Sequence, residues 1–181
     1  MASASTWNID PEHSNIAFKV RHLMVSNVKG IFEKYNGTVE LNDSDITKSR
    51  VNMTIETGSI NTNVQKRDEH LRSADFLDVA KYPNMTFVSK KITKAGEGKL
   101  KITGDLTLHG VTKEVVLDVE PLSKESKDPW GNIRRGTTAT TEINRKDFGL
   151  NWNKALDTGG VVVGEDVAIT LEIEMVKAQA K

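Results

Sequence analysis

The sequence contains no cysteine in its 181 residues, which removes disulfides, iron–sulfur clusters, thiolate zinc sites and cysteine nucleophiles together. A charge surplus is missing too. The 25 basic side chains are matched by 25 acidic ones, whereas a protein that lives by holding DNA, RNA or an anionic membrane normally carries basic excess. Basic pairs such as Lys90-Lys91 and Arg134-Arg135 stand among acids without interleaved aromatics, so no nucleic-acid groove is expected. Runs of apolar residues stop at three, as at Val115-Val116-Leu117 and Val161-Val162-Val163, against about 20 for a spanning helix, and no membrane insertion is expected. The start, Met1-Ala2-Ser3-Ala4-Ser5-Thr6-Trp7, has neither the basic opening nor the apolar stretch of a secretory signal. The expected location is therefore cytoplasmic, or periplasmic if a leader has been trimmed away. GxSxG, the Walker loop and GxGxxG are all absent, which removes the usual signatures of acyl transfer, phosphoryl transfer and dinucleotide binding; no cofactor is expected.

What is present is an ordinary globular composition, 37% hydrophobic and 28% charged, in a length that suits one domain. The dominant period is two. Leu100, Ile102, Leu106 and Leu108 share one parity while Lys101, Thr103, Asp105 and Thr107 take the other, and Val167, Ile169, Leu171, Ile173 and Met175 repeat the pattern near the C-terminus. Each is a half-buried strand. Weaker alternation predicts strands at 16–24, 26–32, 35–41, 49–55, 84–91, 113–120 and 134–143, separated by turn signals such as Asn36-Gly37, His109-Gly110 and Asp128-Pro129-Trp130-Gly131. Eight or nine antiparallel strands of this kind must hide their inner faces in a sandwich or a closed barrel, and periodicity does not choose between them. Gly30, Gly37 and Gly104 fall on inward parity, where each marks either a bend or an opening inside. Residues 62–81 break the rhythm: Thr62-Asn63-Val64-Gln65 has the form of a capping box, which predicts a short helix whose inner side carries Val64 and Leu71.

Candidate chemistry is sparse. His13, His22 and His70 lie near charged residues, but no helical i, i+4 pair and no HExxH brings them into a zinc-binding spacing, so no metal site is expected. His22 continues the inward parity of Ile16, Phe18 and Val20, where an imidazole needs a hydrogen-bond partner or a ligand. Asp68, Glu69 and His70 follow Arg67 as an acid-acid-imidazole cluster that suits a salt-bridged helix surface better than acid–base catalysis.

Taken in order, the motifs resemble the YceI-like family of lipid- and polyisoprenoid-binding proteins. The resemblance rests on Trp7-Asn8-Ile9-Asp10-Pro11-Glu12-His13-Ser14, on Val28-Lys29-Gly30-Ile31-Phe32 and on the stretch from Arg67 through Asp75-Phe76-Leu77-Asp78 to Tyr82-Pro83. Leu106-Thr107-Leu108-His109-Gly110 and Ile143-Asn144-Arg145-Lys146-Asp147-Phe148-Gly149 complete it. It implies an all-β fold, an extended lipocalin-like antiparallel barrel of about eight strands with a helical insertion near 62–81. One domain would span 7–176, with 1–6 and 177–181 as flexible termini. It further implies non-enzymatic binding, sequestration or transport of a long apolar ligand of polyisoprenoid, isoprenoid-quinone or fatty-acyl type. On that reading the ligand would meet Phe18, Val20, Phe32, Val39, Met53, Phe76, Leu106, Leu117 and Ile169, with His22 orienting a head group. The alternatives are a lipid-modifying enzyme using Asp68 and His70, and a stress-related interaction module whose interior is filled by its own side chains. Edge strands leave a homodimer open.

Overall fold

In the computed structural model, which describes residues 4–180, period-two segments form one continuous antiparallel sheet. In chain order the strands are β1 (Ser5–Ile9), β2 (Asn15–His22), β3 (Ser26–Phe32), β4 (Tyr35–Leu41), β5 (Arg50–Glu56) and β6 (Ile60–Asn61). After helix α1 (Gln65–Arg72) come β7 (Asn84–Lys94), β8 (Leu100–Leu108), β9 (Val111–Val119), β10 (Ser126–Lys127), β11 (Ile133–Asn144) and β12 (Val163–Lys177). Eight of them close a ring, β1-β4-β5-β7-β8-β9-β11-β12, because β12 pairs with β11 on one side and with β1 on the other. Closure satisfies the strand edges that a sandwich would leave open, and it selects the barrel.

The remaining strands lengthen this ring. β1 and β2 both run antiparallel to β12, Trp7 facing Lys177 and Ile16 facing Leu171, so they act as one long strand interrupted at residues 10–14. Ser14 bridges the break: its hydroxyl donates to the Glu174 carbonyl at 3.1 Å and accepts the Glu174 N–H at 2.9 Å. β3 and β4 meet in the same way across Glu33 and Lys34, whose backbone N–H groups bond to the Ser59 carbonyl and hydroxyl. The β2–β3–β6 extension thus prolongs the barrel at one end.

Of the residues expected to be flexible termini, Ser5 and Thr6 are paired in β1 and Lys177 in β12. The expectation for residues 1–3 and 181 lies outside the described residues. The inward glycines prove not to be openings, and Gly104 sits where the β7–β8 ladder slips between Ser89 and Lys91. A Cβ on Gly30 would overlap the ring of Phe18, one on Gly104 the ring of Phe87, and one on Gly37 the Ile9 side chain. Aromatic rings laid across strand glycines cover the backbone that lacks a side chain.

Helix α1 forms where expected but is held differently from a capping box. Its N-cap is Val64, which gives no side-chain cap, and the Gln65 amide donates to Glu69. The Thr62 backbone N–H and hydroxyl both donate to the buried Asp68 carboxylate, while Arg67 donates to the Thr62 hydroxyl and carbonyl at 2.7 Å each. Val64 points outward, 46% exposed, so only Leu71 of the expected pair packs on the core. Arg72 fastens the helix to the barrel by donating to the carbonyls of Gly58 and Ile60. The chain returns through Phe76 and Leu77, both buried across the same end of the barrel.

Candidate functional site

Inward parity of all eight ring strands converges on an internal cavity of about 280 Å³. Its wall is apolar apart from Ser49, Thr137, Thr141 and Arg145. Even these are spoken for. The Ser49 hydroxyl accepts the Asn42 N–H, and the Thr137 and Thr141 hydroxyls donate to the carbonyls of Glu120 and Val116. An interior of this kind recognises by shape and apolarity, since a polar ligand entering it would lose its water without finding new partners.

Among the described residues Arg145 is the one charged group on the wall, and it is 3% exposed. Its guanidinium donates to four backbone carbonyls, those of Leu150 (2.6 Å), Gly164 (2.7 Å), Trp152 (3.0 Å) and Val163 (3.3 Å), with no carboxylate of the described residues in contact. Burial pushes its pKa down against the opposing pull of Glu165, yet an arginine stays charged inside proteins. Its role in the fold is to cinch the loop between β11 and β12 against the end of the barrel.

That loop supplies Trp152, which with Phe76 and His70 makes a compact aromatic cluster. The ring centroids are 4.8 Å apart for His70 and Trp152, 5.1 Å for His70 and Phe76, and 5.2 Å for Phe76 and Trp152. Phe76 is also part of the cavity wall, so the cluster covers the interior at the helical end.

Nine of the ten residues expected at the ligand lie on this wall: Phe18, Val20, Phe32, Val39, Met53, Phe76, Leu106, Leu117 and Ile169. His22 does not. It pairs with Ser26 and Val163 at the end of β2, just past a register shift in the β2–β12 ladder between Val163 and Val167. Directly opposed residues share a face, so His22 keeps the parity of Val163 and misses the cavity only because it sits at the very end of β2. Asp68 and His70 are also not assembled as an acid–base pair: Asp68 is engaged by Thr62, whereas His70 bonds Asp75 at 2.8 Å. His13 bonds Asp10 at 2.8 Å, on the loop between β1 and β2. Asp10, Glu12 and His13 do bring ligand-type atoms within 4.8 Å of one another, but Arg134 already contributes a cation to Asp10.

Sequence reasoning missed Arg145 and Trp152 as parts of the site. Arg145 was legible only inside a motif. Trp152 had a faint signal in the alternation Phe148, Leu150, Trp152, of which the first two are buried.

A closed eight-stranded antiparallel barrel around an apolar cavity, covered at one end by a helical insertion, defines the class of small cavity-bearing barrels. Residues 7–175 match the YceI-like domain, and the chain belongs to that family. It is 42% identical to a UPF0312 protein of Vibrio parahaemolyticus over 151 residues, 82% of this chain and 79% of the relative. The crystal structure of a Campylobacter jejuni YceI protein is similar with a TM-score of 0.74 and 34% identity, covering 89% of this chain and 91% of that one. A polyisoprenoid binding domain from Saccharophagus degradans, implicated in plant cell wall breakdown, shares the fold with a TM-score of 0.68 at 16% identity, covering 95% and 98% of the two chains.

Proposed function

We propose that this protein binds one long apolar molecule of polyisoprenoid, isoprenoid-quinone or fatty-acyl type inside the barrel and carries or sequesters it away from water. The observation that carries this reading is the composition of the cavity wall, almost wholly aliphatic and aromatic, with its few polar groups already bonded to backbone. The polyisoprenoid-binding domain that shares the fold supports the ligand class. Burial of apolar area would supply the affinity: about 0.8 kcal/mol per methylene, so ten buried methylenes give roughly 8 kcal/mol before the costs of ordering the chain. No polar anchor is required at that magnitude. An internal cavity of about 280 Å³ also weighs against an interior filled by the protein's own side chains.

The experiment is retention of a long-chain ligand by Phe18→Asp and Lys101→Ala. Phe18 lines the cavity, and Lys101 is an exposed residue paired with Asp118 on the outer face. Retention should be lost in the first and kept in the second. Equal retention by both variants would refute the cavity as the binding site.

A further inference from the structure

The tip of the β2–β3 hairpin combines three features that its fold does not need. The first is composition. Leu23, Met24 and Val25 are 38%, 52% and 75% exposed, the longest run of large apolar residues left in solvent among the described residues. The second is backbone conformation. The Val25 N–H bonds to the His22 carbonyl at 3.1 Å, and Leu23 and Met24 both have positive φ, 49° and 64°, which makes a turn that ordinarily selects Asn and Gly. Bulky apolar side chains are held there against the local preference of the chain. The third is charge. From Lys19 to Lys29 the sequence carries Lys19, Arg21 and Lys29, all exposed, and no carboxylate. On the adjoining loop and the start of β12, Lys154 and Asp157 offset each other and Glu165 is paired with Lys146, while Asp147 and Asp166 are exposed carboxylates outside the hairpin itself.

The tip is also close-coupled to the covered end of the cavity. Leu23 donates its N–H to the Val162 carbonyl, Met24 lies against Gly160, and His22 pairs with Val163, which lines the cavity. Trp152 reaches the aromatic cluster from the same loop, and Arg145 holds that loop in place.

We propose that the β2–β3 tip is a membrane-docking element: Leu23, Met24 and Val25 enter the interfacial region of a bilayer while Lys19, Arg21 and Lys29 meet anionic head groups. An apolar wedge flanked by cations is the chemistry that a bilayer surface with anionic lipid recognises, whereas a neutral chain as a whole has no long-range attraction to it. Docking there would set the covered end of the cavity against the lipid, the side from which an apolar molecule comes. That purpose rests on the carrier reading; the docking does not.

The test is flotation of the purified protein with vesicles of phosphatidylcholine alone and of phosphatidylcholine with phosphatidylglycerol in equal parts. The protein should float with the anionic vesicles, less so at high salt, and the double variant Met24→Glu, Val25→Glu should lower the floated fraction by about tenfold or more. Trp130→Glu serves as the control, because Trp130 is 81% exposed on the β10–β11 turn at the opposite end of the barrel. It should float like the parent. Absence of flotation with anionic vesicles, or an equal loss in Trp130→Glu, would overturn the proposal. So would a dimer seen by sedimentation without vesicles and split by Val25→Glu, which assigns the tip to a second copy. The double variant should keep its unfolding midpoint and its uptake of a fatty-acyl probe from solution; failure of uptake in the parent itself would reject the carrier reading while leaving the docking result standing.

Discussion

The ring of Phe18 lies over Gly30 on the neighbouring strand, in the space that any Cβ at position 30 would occupy together with the Thr62 methyl group. Gly30 is therefore what allows Phe18 to form wall. Gly30→Ala should push the ring toward the cavity and destabilise the fold by about 1–3 kcal/mol, the usual cost of overpacking. Chemical unfolding and ligand affinity should fall together. An unchanged unfolding midpoint would show that the ring has room to yield.

Arg145 should tolerate no apolar replacement. Arg145→Met leaves the carbonyls of Leu150, Trp152 and Gly164 without the guanidinium donor in a buried setting, while that of Val163 keeps the Asn153 amide. The expected loss is of order 3 kcal/mol or more, with Arg145→Lys intermediate because an ammonium cannot reproduce the planar fork. Proteolysis should show the 150–163 loop opening first. A variant of parental stability, cut no faster in this loop, would contradict this.

Acid should weaken the opposite end of the barrel. Arg134 bonds Asp10, Asp128 and Glu174, joining the interruption between β1 and β2 to the β10–β11 turn. Burial tends to raise the pKa of Asp10 and of Asp128, but the hydrogen bonds from Arg134 and from nearby backbone outweigh it and hold both below the ordinary 3.8. A depressed carboxylate contributes stability that is complete above its unfolded pKa and is lost as pH falls through the folded one. His13 works in the other direction: its bond to Asp10 raises its pKa above 6.5, so its contribution is complete below that value and fades as pH rises. Thermal unfolding midpoints should hold near about pH 5 and drop steeply toward about pH 2, and Asp128→Asn should flatten the acid limb. Identical acid limbs in parent and variant would dismiss the cluster as a contributor.

Trp152 should govern exchange more than stability. Its half-buried ring packs on Phe76 and His70, so Trp152→Ala should cost about 0.5–1.5 kcal/mol per lost aromatic pair on top of the lost apolar burial, while speeding release of a bound fluorescent fatty-acyl probe. Stopped-flow release at the parental rate would show that ligands leave by another route.

Much of the barrel was legible because β8 and β12 alternate so strictly: Leu100, Ile102, Leu106 and Leu108 are all buried, and nine expected residues line the wall. Closure was not legible, since parity records which face is inward and says nothing of whether β12 will meet both β11 and β1. The family resemblance supplied that step. His22 missed the wall although its parity holds opposite Val163, because parity gives the face of a residue and not how far along the strand the cavity reaches. Trp152 and the Arg145 cradle escaped because they depend on backbone carbonyls of an irregular loop, which leave no periodic trace. The capping box failed at Thr62 because Asp68, on the first turns of the helix, was a better acceptor for its hydroxyl and N–H than Gln65 was a partner.

The most direct measurement is native mass spectrometry of freshly purified protein, with solvent extraction of whatever leaves it. One long-chain apolar molecule per barrel is expected, absent from Phe18→Asp, whose side chain would place a carboxylate in the cavity. A bare mass that persists after incubation with polyisoprenoid, quinone and fatty-acyl mixtures would contradict the carrier reading.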